Sequence, residues 1–240
     1  MQGLQAMPPR HFNHSIPSNK PAPAAIPITA GEFISNGLVL AFKFDEGSGQ
    51  VANDLSPSKL HGQLGSTSGA DANDPTWISP RGLAFNNQYV TVLTPNTALR
   101  LTTALSIEAK FKWTSGQGGI YDKTGAGVTN QNYQLMVDGG LKFRLIKGAG
   151  NNDLTGTTFT STCLYHVVAT WDGAEMVLYV DGQKAFTHLV VTPSIDNVDG
   201  DVLIGKLGSG VFPFIGNIYK IGIYNRALSA IEVRTAYELS

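Results

Sequence analysis

Parts of this chain alternate apolar and polar positions with a period of two. Leu105-Ser106-Ile107-Glu108-Ala109-Lys110-Phe111-Lys112-Trp113 is the clearest case: one face of such a strand meets a core and the other meets solvent. The run Leu164–Gln183 reads as two strands rich in Val, Thr, Tyr and Trp, joined at Asp172-Gly173 and followed by a second tight turn at Asp181-Gly182. Val168, Thr170, Val177 and Tyr179 suit a pleated, half-buried surface, which predicts that this hairpin is central to a sheet. Further short strands are expected at 38–44, 59–64, 82–85, 88–93, 119–123, 132–138, 141–147, 157–160, 184–190, 202–205 and 214–224. Turns at Asp138-Gly139-Gly140 and across 147–153 separate the middle members, a spacing typical of a sandwich.

One helix breaks the pattern. Ser229-Ala230-Ile231-Glu232 has the capping-box arrangement, so a short helix over about 230–237 is expected, packed on the end of the sandwich through Ile231, Val233 or Arg234, and Tyr237.

The first 36 residues differ in kind. They hold six of the twelve prolines, and Lys20–Pro27 favours an extended polyproline geometry. Such a segment is a flexible tail or an arm ordered by something it docks against; the reading adopted is an arm (1–36) preceding one large domain (37–240), with Phe12, Ile16, Ile26, Ile28 and Phe33 as docking anchors.

Composition narrows the partners. The formal net charge is −1, from 17 basic and 18 acidic residues, and provides no field to collect nucleic acid or an anionic membrane. The N-terminus lacks a basic stretch followed by an apolar run, and no segment approaches the ~18 apolar residues of a membrane span, so synthesis in the cytoplasm is expected. The single cysteine, Cys163, excludes an intramolecular disulfide and reads as a small buried hydrophobe beside a strand.

Four stretches in one order carry a family resemblance: Leu38–Gly49, Gly82–Val90, the hairpin Leu164–Gln183 with its Tyr165-His166 and Leu178-Tyr179-Val180-Asp181-Gly182, and Phe214–Ser229. Together they resemble the laminin-G-like, concanavalin A-like jelly rolls, over about 37–240. The resemblance implies an all-β antiparallel sandwich and allows several functions. Some relatives are glycosidases, but the Glu-x-Asp-x-x-Glu strand that would place two carboxylates at a glycosidic bond is missing, as are Gly-x-Ser-x-Gly, His-Glu-x-x-His and Cys-x-x-Cys. The expectation is a non-enzyme. Relatives also hold Ca²⁺, for which Asp45, Glu46, Asp54, Asp71, Asp74, Asp153, Asp196, Asp199 and Asp201 offer oxygens. Phe85-Asn86-Asn87 and Gly216-Asn217-Ile218-Tyr219-Lys220 stand where the family carries acidic residues, so no cofactor is expected and no metal site is assigned.

A glycan site needs an aromatic face and a few hydrogen-bonding groups. Tyr121, Lys123, Asn130, Asn132, Tyr133 and Phe212, with Trp77, are the candidates in or beside loops. The overall expectation is a surface-displayed structural and adhesion protein on a virion, its arm docked on other subunits of an assembly or on further copies of itself. A free carbohydrate-binding module is the alternative and a glycoside hydrolase the remote one.

Overall fold

The computed structural model describes residues 32–124, 131–156, 158–190, 194–196, 199–208 and 212–240. In chain order the strands are β1 (Leu38–Phe42), β2 (Val51–Ala52), β3 (Gly62–Leu64), β4 (Thr76–Trp77), β5 (Leu83–Asn86), β6 (Val90–Val92), β7 (Leu105–Ser115) and β8 (Gly118–Thr124). There follow β9 (Gln131–Val137), β10 (Leu141–Lys147), β11 (Gly150–Thr155), β12 (Leu164–Trp171), β13 (Glu175–Val180), β14 (Gln183–Leu189), β15 (Val202–Ile204), β16 (Ile215–Tyr224) and the helix α1 (Ala230–Glu238). They form two antiparallel sheets of eight strands each. The first runs β14-β13-β12-β7-β16-β5-β4 with β1 also on β16, and the second runs β11-β10-β9-β8-β15-β6-β3-β2.

The predicted hairpin is β12–β13, central to the first sheet as expected. Asp172 Oδ1 accepts the Ala174 and Glu175 amides at 2.9 and 2.8 Å, which closes the turn. Asp181 and Gly182 both adopt positive φ, the geometry that suits a two-residue hairpin loop. The inward faces of both sheets meet in one core containing Trp171, Phe111, Phe143 and Phe214.

A smaller second core lies on the outer face of the first sheet. There Val168, Val177, Tyr179 and Tyr224 pack under Val233 and Ala236 of α1 and under Phe33 and Ile34. The helix therefore covers a sheet face rather than the end of the sandwich, and Ile231 stays 61% exposed. Its capping box is formed: Glu232 N–H donates to Ser229 Oγ and the Ser229 N–H to Glu232 Oε2.

Three further expectations are corrected. Cys163 is exposed instead of buried. The strand expected at 157–160 lies at 150–155, because the glycines of the expected turn allow β11 to fold straight back on β10, pairing Lys147 with Gly150. Phe33 is fully buried in its own domain, its ring 4.4 Å from the Lys220 ammonium, and is not an anchor for another subunit. Phe12, Ile16, Ile26 and Ile28 lie outside the described residues.

Candidate functional site

The outer face of the second sheet is built by strand parity. On β9, Tyr133, Leu135 and Val137 enter the core, so Asn132, Gln134 and Met136 face the other way. The same alternation turns Lys142 and Arg144 outward on β10, since Leu141, Phe143 and Leu145 are core. On β8 it turns Asp122 outward between Tyr121 and Lys123. Strand register then aligns Gln63, Thr91, Leu203, Asp122, Gln134, Arg144 and Asp153 as one row across the sheet. All but Leu203 are polar.

Within this row Gln134 Nε2 donates to Asp122 Oδ1 at 2.9 Å, and Arg144 makes a two-pronged pair with Asp153 at 2.7 and 2.8 Å. Asp138 is held by Lys142 Nζ at 2.5 Å and by Gln117 Nε2 at 2.6 Å. Burial raises the Asp122 carboxyl to about 6, against the Gly208 and Gln134 hydrogen bonds that favour its charged form. Asp122 thus sits in a place that penalises its charge, which is characteristic of functional positions. On β9 three buried polar atoms have no partner: Gln134 Oε1 and both amide atoms of Asn132. Buried polar groups are ordinarily satisfied, so Gln134 Oε1 in the row and the Asn132 amide two positions along β9 are exceptions that call for a reason.

Beside the row lies a cavity of about 250 Å³ lined by Gln117, Met136, Asp138, Arg144, Leu207 and Phe212. Phe212 is 40% exposed and offers the aromatic wall. Its segment is pinned to β8: Gly119 N–H donates to Phe212 O at 3.1 Å, and Gly208 N–H donates to Asp122 Oδ2 at 2.6 Å. The pinning needs Gly119, whose added Cβ would stand 2.6 Å from the Lys206 carbonyl carbon.

The sequence-predicted glycan residues divide. Asn132 lies on the same face as the row, two positions along β9 from Gln134, and Phe212 lines the cavity. Tyr121 and Tyr133 are buried, stacked on each other with ring centroids 5.7 Å apart, and Tyr133 Oη donates to Leu99 O, so neither can stack on a sugar. Lys123 is buried too; its ammonium donates to Asn96 Oδ1 at 2.9 Å and to Gly200 O, and burial lowers it to about 8. Asn130 lies outside the described residues. Trp77 packs against the core and donates Nε1–H to Gly49 O. The carboxylates considered for calcium are not gathered: among the described residues no three His, Cys, Asp or Glu side chains come together as a metal would require.

Asp122, Gln134 and Arg144 escaped the sequence reading, although a signal existed. Gln134 and Arg144 each lie between two core residues of an alternating strand, and Asp122 follows the core residue Tyr121, so each faces outward.

This two-sheet sandwich with its polar outer face is a lectin-type jelly roll. The sequence model of the family described as the concanavalin A-like lectin/glucanases superfamily (Laminin_G_3) matches residues 85–234, and the chain belongs to that superfamily. No curated protein matches by sequence. Among solved structures the chain is similar to the receptor-binding domain of botulinum neurotoxin C/D mosaic serotype, at 13% identity and TM-score 0.67, covering 84% of this chain and 51% of that one. A botulinum neurotoxin type C structure, whose cell entry depends on interaction with two ganglioside molecules, gives 13% identity and TM-score 0.62 over 85% and 52% of the two chains. Trypanosoma rangeli sialidase in complex with the inhibitor DANA gives 21% identity and TM-score 0.60 over 89% and 33%. The chain thus spans about half the length of the toxin domains, and at these identities the likeness is one of fold.

Proposed function

We propose that the chain is a non-catalytic carbohydrate-binding module whose glycan lies across the outer face of the second sheet. The observation that carries this is the polar row, with its unpartnered Gln134 Oε1, which Arg144 joins to the Phe212-lined cavity. A sugar brings both donors and acceptors to such a row and an apolar ring face to Phe212. Membership of a lectin/glucanase superfamily supports the class, and the ganglioside-dependent toxin supports a glycan of the cell surface.

A hydrolytic role fits less well. Retaining or inverting cleavage needs two carboxyl groups about 5–9.5 Å apart flanking one bond. On this face Asp153 is committed to Arg144 and Asp138 to Lys142, which leaves Asp122 without a second free carboxylate. The virion-assembly reading rests on arm residues outside the described part, while Phe33 supports its own fold, so glycan binding takes precedence.

The test is a glycan array with the full chain, followed by titration of the best glycan against Arg144→Ala. Binding lost with the fold unchanged by circular dichroism is expected. Undiminished binding by Arg144→Ala, or an array without a single glycan bound, overturns the proposal.

A further inference from the structure

The opposite sheet carries a second and larger cavity, of about 400 Å³, where the end of α1 meets β7, β12 and the Asp181-Gly182 turn. Its lining includes Lys110, Leu164, His166, Asp181, Tyr237 and Glu238. Beneath it runs a buried network: Glu108 Oε1 receives Lys220 Nζ at 2.5 Å and His166 Nε2 at 2.9 Å, and Glu108 Oε2 receives Tyr224 Oη at 2.7 Å. The carboxylate fixes the imidazole tautomer, because the ring nitrogen that faces it must carry the hydrogen. Nδ1 of the neutral ring is then a lone-pair acceptor, it is buried, and it has no partner. The His166 side chain is only 1% exposed, so bulk water does not serve it freely.

The cavity therefore asks for a particular chemistry. Its acceptors are His166 Nδ1 and the carboxylates of Asp181 and Glu238; its donor is the Lys110 ammonium; and its apolar surfaces are Leu164 and the ring of Tyr237, 36% exposed. Tyr237 is held in place from behind, since an added Cβ at Gly182 would lie 3.0 Å from its Cδ1. An anion such as phosphate or sulfate would face a lone pair and two carboxylates. An organic cation would meet Lys110 and would find Glu238 already paired with Arg234 at 2.6 Å. A sugar ring carries hydroxyls that donate and accept, together with an apolar face.

We infer that this cavity is a second saccharide site, in which a neutral pyranose donates a hydroxyl to His166 Nδ1, lies against Tyr237 and shares its other hydroxyls with Lys110 and Asp181. The domain is then two-sided, with one sugar site on each sheet. The inference does not require the Phe212 face to bind glycan, and the two are separable by experiment.

The test uses the full chain labelled with ¹⁵N, titrated in separate samples with galactose, glucose and N-acetylglucosamine, and with inorganic phosphate and ethylamine as competing chemistries. The expected result is that at least one sugar shifts the His166 Nδ1 resonance and the amides around 164–166, 181–182 and 237–238. Leu164 is 51% exposed, so Leu164→Trp fills the cavity mouth without disturbing the core; it should weaken these shifts by about tenfold, close to 1.4 kcal/mol, while Arg144→Ala leaves them untouched. The inference is overturned if no sugar moves the Nδ1 signal up to its solubility limit, if only phosphate or ethylamine does, or if Leu164→Trp leaves the titration unchanged.

Discussion

The outer faces of the two sheets each bury a carboxylate, and they treat it in opposite ways. On the first sheet Glu108 is enclosed by Lys220, His166 and Tyr224 beneath α1 and Phe33. Burial alone would raise its carboxyl, but the Lys220 charge and the His166 hydrogen bond outweigh that and hold it at about 2. On the second sheet Asp122 has an amide and a backbone N–H for partners, and burial wins. A carboxylate whose charge is matched on every side builds structure. One left partly unmatched, next to Gln134 with its unpartnered Oε1, is the pattern on which the glycan proposal rests.

The contrast breaks most sharply at Lys220. Lys220→Met leaves Glu108 buried without its counter-charge and should cost about 3–5 kcal/mol in urea unfolding at neutral pH. Glu108→Gln combined with Lys220→Met should recover much of that loss, since the two residues act as one unit.

The second expected effect is on pH. The Glu108 carboxyl is lowered from 4.5 to about 2 in the folded state, so its contribution is complete above pH 4.5 and lost as pH falls towards 2. Asp122 is raised from 3.8 to about 6, so the folded protein binds this proton more tightly than the unfolded chain does. Its effect has the reverse sign: stability rises as pH falls through 6 towards 3.8. Asp122→Asn should accordingly stabilise the protein by up to about 3 kcal/mol at pH 7.5 and by almost nothing at pH 4, measured as paired unfolding curves. An equal effect at both pH values would show that Asp122 is matched after all.

Smaller effects sharpen the picture of the second face. Gly119→Ala should push the Phe212 segment off β8, with about 1–3 kcal/mol lost in stability and glycan binding lost altogether, read by calorimetry with the glycan selected on the array. Phe212→Ala should weaken binding about fivefold, near 1 kcal/mol, and leave the melting temperature where it was.

Much of the fold was legible in the sequence, because β-sandwich strands write their orientation into every second residue. The β12–β13 hairpin, the eleven-residue β7, the closing strand β16 and the capped helix all lie within a residue or two of their expected positions. Strands β2 and β4 were not legible, as two residues leave no period to read. The site was less legible for a different reason. Tyr121, Lys123 and Tyr133 looked like ligands by residue type, yet parity with Leu135 and Val137 assigns Tyr133 to the core, and register brings Tyr121 and Lys123 with it. Conversely, Gln134 and Arg144 look ordinary one at a time. They become a site only when pairing across β8, β9, β10 and β11 sets them side by side, and that non-local fact is absent from any single stretch of chain.

The most direct measurement is a crystal structure of the full chain with the oligosaccharide that the array selects. The expected result is a sugar lying on Gln134 and Arg144 with one ring face against Phe212, its hydroxyls within hydrogen-bond distance of Gln134 Oε1. A sugar seated elsewhere, with the row from Asp122 to Asp153 bare, would contradict the assignment of this face as the binding surface.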